Sequence, residues 1–223
     1  MPPLVTLTRS ETRVLGSVED VSRARDEFVR LHSVKLEGLI AGDVLRDVQD
    51  ELERGDFADR VHAGIGTELC LRPGTAFGML MLMANDPRLL ALVEALTGCG
   101  SIGCFEGRVY RFVPGSGHHD SWHSDIGNNR LVALSVNLGR ERYEGGTFQL
   151  RSAASREILR ELPNLTPGDG IMFRIHPGLR HRVTDVIGPV PKTAFAGWFR
   201  GAPSFGEILR MQFESAALRT PRT

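Results

Sequence analysis

Apolar residues recur at helical spacing through much of the first half of the chain and near period two through much of the second. Residues 21–31 and 43–53 each carry an apolar face opposite a charged one, and Gly42-Asp43 marks the start of the second helix. Between them, residues 32–40 alternate like a strand. The clearest helix is 86–97: Asp86 caps it, Pro87 sits in the first turn, Leu89, Leu90, Leu92, Val93 and Leu96 form an apolar stripe, and Gly98 ends it. Two short apolar segments, 68–72 and 77–82, flank a Pro73-Gly74 turn; their Met and Cys content suits core filling more than a substrate pocket. Together these elements predict braces packed on one face of a larger sheet. Near the C-terminus, residues 204–218 place Phe205, Ile208, Leu209, Gln212 and Phe213 at helical spacing, a helix that packs on its own domain or pairs two copies of the chain.

The second half carries the chemistry. In a strand, residues i and i+2 point the same way, so His123 and Asp125 would aim one nitrogen and one oxygen at one point. The third ligand must come from elsewhere. His181, 56 residues beyond Asp125, lies in a loosely alternating segment, 180–186, that stops before Gly188-Pro189 and so reads as a second strand. On this reading two antiparallel strands from opposite sides of a barrel meet at a metal. Two imidazoles and a carboxylate on one face of a metal leave the other face open, which is what a ferrous centre needs to bind an organic co-substrate and O2. The donor set alone also suits Mn(II) or Zn(II). Two rivals are present: His118 and Asp120 form a second HxD, and His176, followed by Pro177-Gly178, is an alternative third ligand in a turn.

Six segments in order resemble the Fe(II)/2-oxoglutarate-dependent dioxygenases, in particular their prolyl-hydroxylase-like, phytanoyl-type branch. They are 111–115 (RFVPG) leading into His123-x-Asp125, 130–138 (RLVALSVNL), 144–148 (EGGTF), 167–173 (PGDGIMF), His181-x-Val183, and 192–198 (KTAFAGW). The order favours His123 and Asp125 over the earlier pair. The resemblance implies an α+β, mainly β fold: a double-stranded β-helix (jelly-roll, cupin-like) barrel at 104–202, with N-terminal support at 1–103 and a C-terminal helix at 203–223, all in one domain. It implies Fe(II), 2-oxoglutarate and O2, with His123, Asp125 and His181 as iron ligands. Lys192 would pair with the distal carboxylate of 2-oxoglutarate, since a desolvated carboxylate needs a cation, and that anchor is what selects iron over a hydrolytic zinc. Tyr110 and Trp198 would lie beside the co-substrate, with Ala194 and Ala196 leaving room for it. Lys192 follows His181 by eleven residues, slightly more than is usual in the family, with Gly188-Pro189-Val190-Pro191 filling the gap; Arg182 and Arg200 are the alternative anchors. His119 and Trp122 fall in a loop at the barrel mouth, where substrate would arrive. Related halogenases replace the carboxylate ligand to admit chloride, so Asp125 implies hydroxylation.

Composition narrows the substrate only a little. Lysine plus arginine equals aspartate plus glutamate at 27 each, which gives no field to attract nucleic acid; Arg140, Arg142 and Arg151 are the one local basic group, read as a solvated strand edge. Cys70, Cys99 and Cys104 form no CxxC pair, and no secretion signal or membrane-length apolar run is evident, so a cytoplasmic protein is expected. The sequence therefore predicts an oxygenase that hydroxylates a small molecule, such as a free or carrier-bound amino acid or a secondary metabolite. A protein-residue (prolyl-type) hydroxylase and a non-catalytic cupin-like metal sensor are the alternatives.

Overall fold

The computed structural model describes residues 3–163 and 166–210. Its centre is a twisted antiparallel sheet whose main strand order is Ser33–Leu36, Gly170–Arg174, Arg130–Asn137, Lys192–Arg200, Cys104–Phe112, Gly66–Leu71 and Phe57–His62. Facing it is a smaller antiparallel sheet of Ile158–Leu162, Phe148–Ser152 and Leu179–Val183. The architecture is the mainly β jelly roll that the sequence implied.

Period-two alternation decides which side chains face the interior. Along Lys192–Arg200, Phe195 and Phe199 point outward and pack on Phe105, with ring centroids 5.3 and 4.9 Å away. They join one large core with residues such as Phe28, Val48, Leu89 and Leu96 from the helices Val18–Leu31, Gly42–Glu53 and Pro87–Thr97. The predicted bracing is thus observed. The opposite face of the same strand carries Lys192, Ala194, Ala196 and Trp198 into the barrel. Two small apolar clusters fill that interior, one built on Phe148, Leu150, Ile171 and Phe173, the other on Tyr110, Phe112, Tyr143 and Ala194.

Local chemistry explains where the observed elements depart from the expected ones. The first helix begins at Val18 because Ser17 and Asp20 form a capping box, each side chain accepting the other's backbone N–H. The strand expected over 32–40 shrinks to Ser33–Leu36, because His32 ends the preceding helix at φ 56° and Gly38 turns at φ 59°. The segment 77–82 belongs to a helix, Thr75–Ala84, that is apolar nearly all round, whereas 68–71 is strand. Of the predicted C-terminal helix, residues 205–210 are helical; 211–223, and with them the dimer expectation, lie outside the described residues.

Candidate active site

His123 does not sit in a regular strand. The segment from Ser121 to Asn129 is irregular, and His123 makes an isolated antiparallel bridge to His181: each backbone N–H donates to the other's carbonyl, at 3.1 and 3.0 Å. The two imidazoles therefore come from directly paired residues, with ring centroids 4.2 Å apart, rather than from opposite walls of the barrel. The glycines and polar residues of 115–129 favour turns over a continuous ladder, which is why strand spacing misjudged this step. Asp125 closes the group. Its Oδ2 lies 3.3 Å from His181 Nε2 and its Oδ1 lies 3.6 Å from His123 Nε2. One ligand atom from each residue falls within 4.8 Å of the others, a two-nitrogen, one-oxygen set that could hold a divalent metal.

Neighbouring groups hold these donors in position. His123 Nδ1 is 2.8 Å from the Ser121 carbonyl and 3.3 Å from Asp120 Oδ1, so Nδ1–H donates there and Nε2 is left free for a metal. Asp120 is in turn tied to the far strand, its Oδ2 accepting the Val183 N–H at 2.8 Å. The Trp198 indole N–H donates to Asp125 Oδ2 at 2.7 Å. Burial works to raise the Asp125 carboxyl, but His181 and the Trp198 donor outweigh it and hold Asp125 well below the usual carboxylate range. Burial likewise lowers His123, which favours the neutral ring that can donate a lone pair.

Lys192 enters the interior at the other end of its strand. It is 1 % exposed, its ammonium donates to the Gly146 carbonyl at 2.7 Å, and it lies 5.2 Å from the centre of the Tyr143 ring. Gly146 adopts φ +58°, and a Cβ there would meet Tyr143 at 2.8 Å, so the glycine lets this carbonyl approach the lysine. Burial pushes the lysine down to about 7, opposed in part by Asp120. Tyr110 is paired in register with Ala194 on the neighbouring strand, and burial raises its phenol. The triad, Lys192, Tyr110 and Trp198 all line one cavity of about 290 Å³.

A family profile described as the 2OG-Fe(II) oxygenase superfamily matches residues 107–200, the span that holds every one of these groups. That match and the fold together support this superfamily. Its enzyme class and cofactor set follow: an oxygenase using Fe(II), 2-oxoglutarate and O2. Among solved structures, the oxygenase is similar to a prolyl-4-hydroxylase from Pseudomonas putida (17% identity, TM-score 0.63, covering 82% of this chain and 100% of that one). It is similar to a prolyl hydroxylase from Trichoplax adhaerens in complex with a peptide fragment of the hypoxia inducible factor oxygen degradation domain (14%, 0.62, 93% and 99%). It is also similar to SnoN, a non-heme alpha ketoglutarate dependent epimerase from nogalamycin biosynthesis (13%, 0.62, 83% and 85%). At these identities the likeness is one of fold. No curated protein matches the sequence.

The remaining expected residues of the oxygenase separate clearly. His119 lines the cavity near its mouth, with Nδ1 3.0 Å from the Gly117 carbonyl. Trp122 does not line it; the residue lies under the guanidinium groups of Arg151 and Arg182, 4.0 and 4.7 Å from its ring centre. Its expected place at the mouth is corrected by the His123 bridge, which leaves the adjacent side chain on the other side of the smaller sheet. Among the rivals, His118 Nδ1 accepts the Val113 N–H and His176 Nδ1 accepts the Gly178 N–H, each closing a turn. Arg182 bonds Gln149, Arg200 bonds Glu106 and the Asn128 carbonyl, and neither lines the cavity. Arg140 is engaged by Asp50 and Glu53, so the local basic group dissolves into ion pairs and separate positions.

Sequence reasoning missed a charged wall. Glu68, from the Gly66–Leu71 strand, accepts two N–H groups of Arg108 and lies 3.0 Å from His62 Nε2; Arg60, Glu106 and Arg130 complete that side. The signal was present in Glu106, Arg108 and Tyr110, which share one strand face by period two.

Proposed function

We propose that this oxygenase hydroxylates a small molecule, with His123, Asp125 and His181 holding the iron and Lys192 holding the distal carboxylate of 2-oxoglutarate. The observation that carries this reading is the convergence of two imidazoles and a carboxylate in the wall of a cavity that is also lined by a fully buried lysine. A metal sensor has no use for a desolvated cation facing its open coordination side, which disfavours the non-catalytic alternative. Iron bound here would supply the open face on which co-substrate and O2 react. The overall conversion turns a substrate C–H, O2 and 2-oxoglutarate into C–OH, succinate and CO2.

The chain's own groups divide the remaining work. Trp198 and Asp120 orient Asp125 and His123, so the donor atoms are fixed before the metal arrives. Ala194 and Ala196 keep the strand between Lys192 and Trp198 free of bulk, which suits a slender co-substrate lying along it. A cavity of this volume fits a small substrate. Protein-residue hydroxylation remains a second reading, favoured by the peptide in the Trichoplax adhaerens complex.

An anaerobic titration tests the assignment. Fe(II) plus 2-oxoglutarate should give a charge-transfer absorption in the wild type and none in His123→Ala or His181→Ala, both of which should keep the wild-type far-UV circular dichroism. A band that survives His181→Ala but not His176→Ala would overturn the ligand set.

A further inference from the structure

We infer that the substrate carries a free carboxylate, bound by the Arg130 guanidinium at the end of the cavity away from Lys192. This rests on the oxygenase reading and names the substrate class for it.

Arg130 opens the Arg130–Asn137 strand and turns its side chain into the cavity wall. The guanidinium carbon lies 3.5 Å from the Trp198 ring centre, so the cation rests on the indole. Its nearest carboxylate oxygen is Asp125 Oδ1 at 3.7 Å, beyond hydrogen-bond reach. Among the described residues no hydrogen bond uses any donor of this side chain, and its Nε is shut off from solvent without a partner. Nearby acids are already engaged. Glu68 bonds Arg108, Glu106 bonds Arg200, and Asp125 is taken by His181 and Trp198. A guanidinium held flat by an indole, with its N–H edge unfilled, is pre-organised for a planar, bidentate acceptor.

Position separates this cation from the co-substrate anchor. Lys192 and Trp198 lie on one strand face six residues apart, which is about 20 Å of strand. The distal carboxylate of 2-oxoglutarate is taken by Lys192, so the acceptor at Arg130 is assigned to the second reactant, and retention of the 2-oxoglutarate band in Arg130→Met is what separates the two. Because Asp125 lies between Arg130 and the two imidazoles, a carboxylate bound there sets a carbon only a few bonds away beside the metal. Asp125 stands 3.7 Å from this guanidinium, so a dianionic phosphate seated there would meet more repulsion than a monoanionic carboxylate. A residue joined through peptide bonds, or an acyl group held as a thioester, has no free α-carboxylate to offer.

The test uses full-length protein loaded anaerobically with Fe(II) and 2-oxoglutarate. The probes are the common L-amino acids, short straight-chain monocarboxylic acids, the carboxamide of each, and matching alkyl phosphates. The readouts are a shift of the charge-transfer band on adding each probe and, after admitting air, the succinate released. At least one acid should move both, and its carboxamide should be far weaker. Arg130→Met should raise the KM for that acid by roughly 30-fold or more, with Arg130→Lys recovering part of the loss and the 2-oxoglutarate band retained in both. The inference is overturned if no acid acts, if a carboxamide or phosphate acts as well, if Arg130→Met keeps the wild-type KM, or if it loses the band. A wild type that gives no band at all sinks the oxygenase reading instead.

Discussion

Lys192 is a buried lysine in the wall of the cavity. Among the described residues no carboxylate pairs with it at salt-bridge distance; it faces the Gly146 carbonyl and the Tyr143 ring, with Asp120 supplying a more distant attraction. Burial therefore holds its folded-state pKa at about 7, below the unfolded 10.5. Between those values the unfolded chain binds a proton that the folded chain does not. Stability from this group accordingly rises with pH from about 7 to 10.5, by up to about 1.4 kcal/mol per pH unit. Co-substrate binding should show the opposite dependence: below pH 7 the lysine is already charged, and above it a proton must be taken up before the carboxylate can be paired. We expect 2-oxoglutarate affinity to fall by up to about tenfold per unit above pH 7, with calorimetry in buffers of different ionisation enthalpy reporting the uptake. Lys192→Arg, always charged, should flatten that slope. An unchanged slope in the arginine variant would mean that another group takes up the proton.

At the scale of elements, the irregular segment before Arg130 is held to the smaller sheet by two clasps. One is the reciprocal backbone bridge of His123 and His181; the other is Asp120, which joins the Val183 N–H to the His123 ring. Asp120→Asn keeps an acceptor for Val183 but removes the charge beside His123, and Fe(II) affinity should drop roughly 10–100-fold while the melting temperature moves little. A metal titration followed by tryptophan fluorescence would measure it, and an affinity unchanged within twofold would refute the role. This clasp marks the limit of what the sequence discloses. Period two identified the inward face of the Lys192–Arg200 strand, and Asp86, Pro87 and Gly98 located the Pro87–Thr97 helix, because those signals are local. That His123 and His181 converge was legible from their order among familiar segments. Their direct pairing was not, since a lone bridge between an irregular loop and a strand leaves no periodicity. Asp120 looked like a rival ligand for the same reason: an HxD spacing says nothing about which side of the histidine its carboxylate will reach.

At the scale of the whole molecule, the N-terminal half does more than brace the barrel. The hairpin Phe57–His62 and Gly66–Leu71 extends the larger sheet beyond Cys104–Phe112 and brings Arg60, His62 and Glu68 into the cavity wall. Glu68, 3 % exposed, is joined by two bonds to Arg108, so the two halves of the chain meet in a buried ion pair directly beside the substrate space. Burial works against the Glu68 charge, and the Arg108 hydrogen bonds outweigh it and keep the carboxyl below its usual range. Removing one partner of such a pair costs far more than removing both, because the survivor is left desolvated and unpaired. Glu68→Ala should therefore destabilise the fold by about 3–5 kcal/mol in chemical denaturation. The double variant Glu68→Leu with Arg108→Met, which replaces the charges by apolar side chains of similar bulk, should recover most of that loss. Both measurements need no metal, co-substrate or substrate, so they test the joint between the halves independently of the chemistry. If Glu68→Ala lay within about 1 kcal/mol of wild type, the range of an exposed pair, the hairpin would be a cover and not a wall of the site.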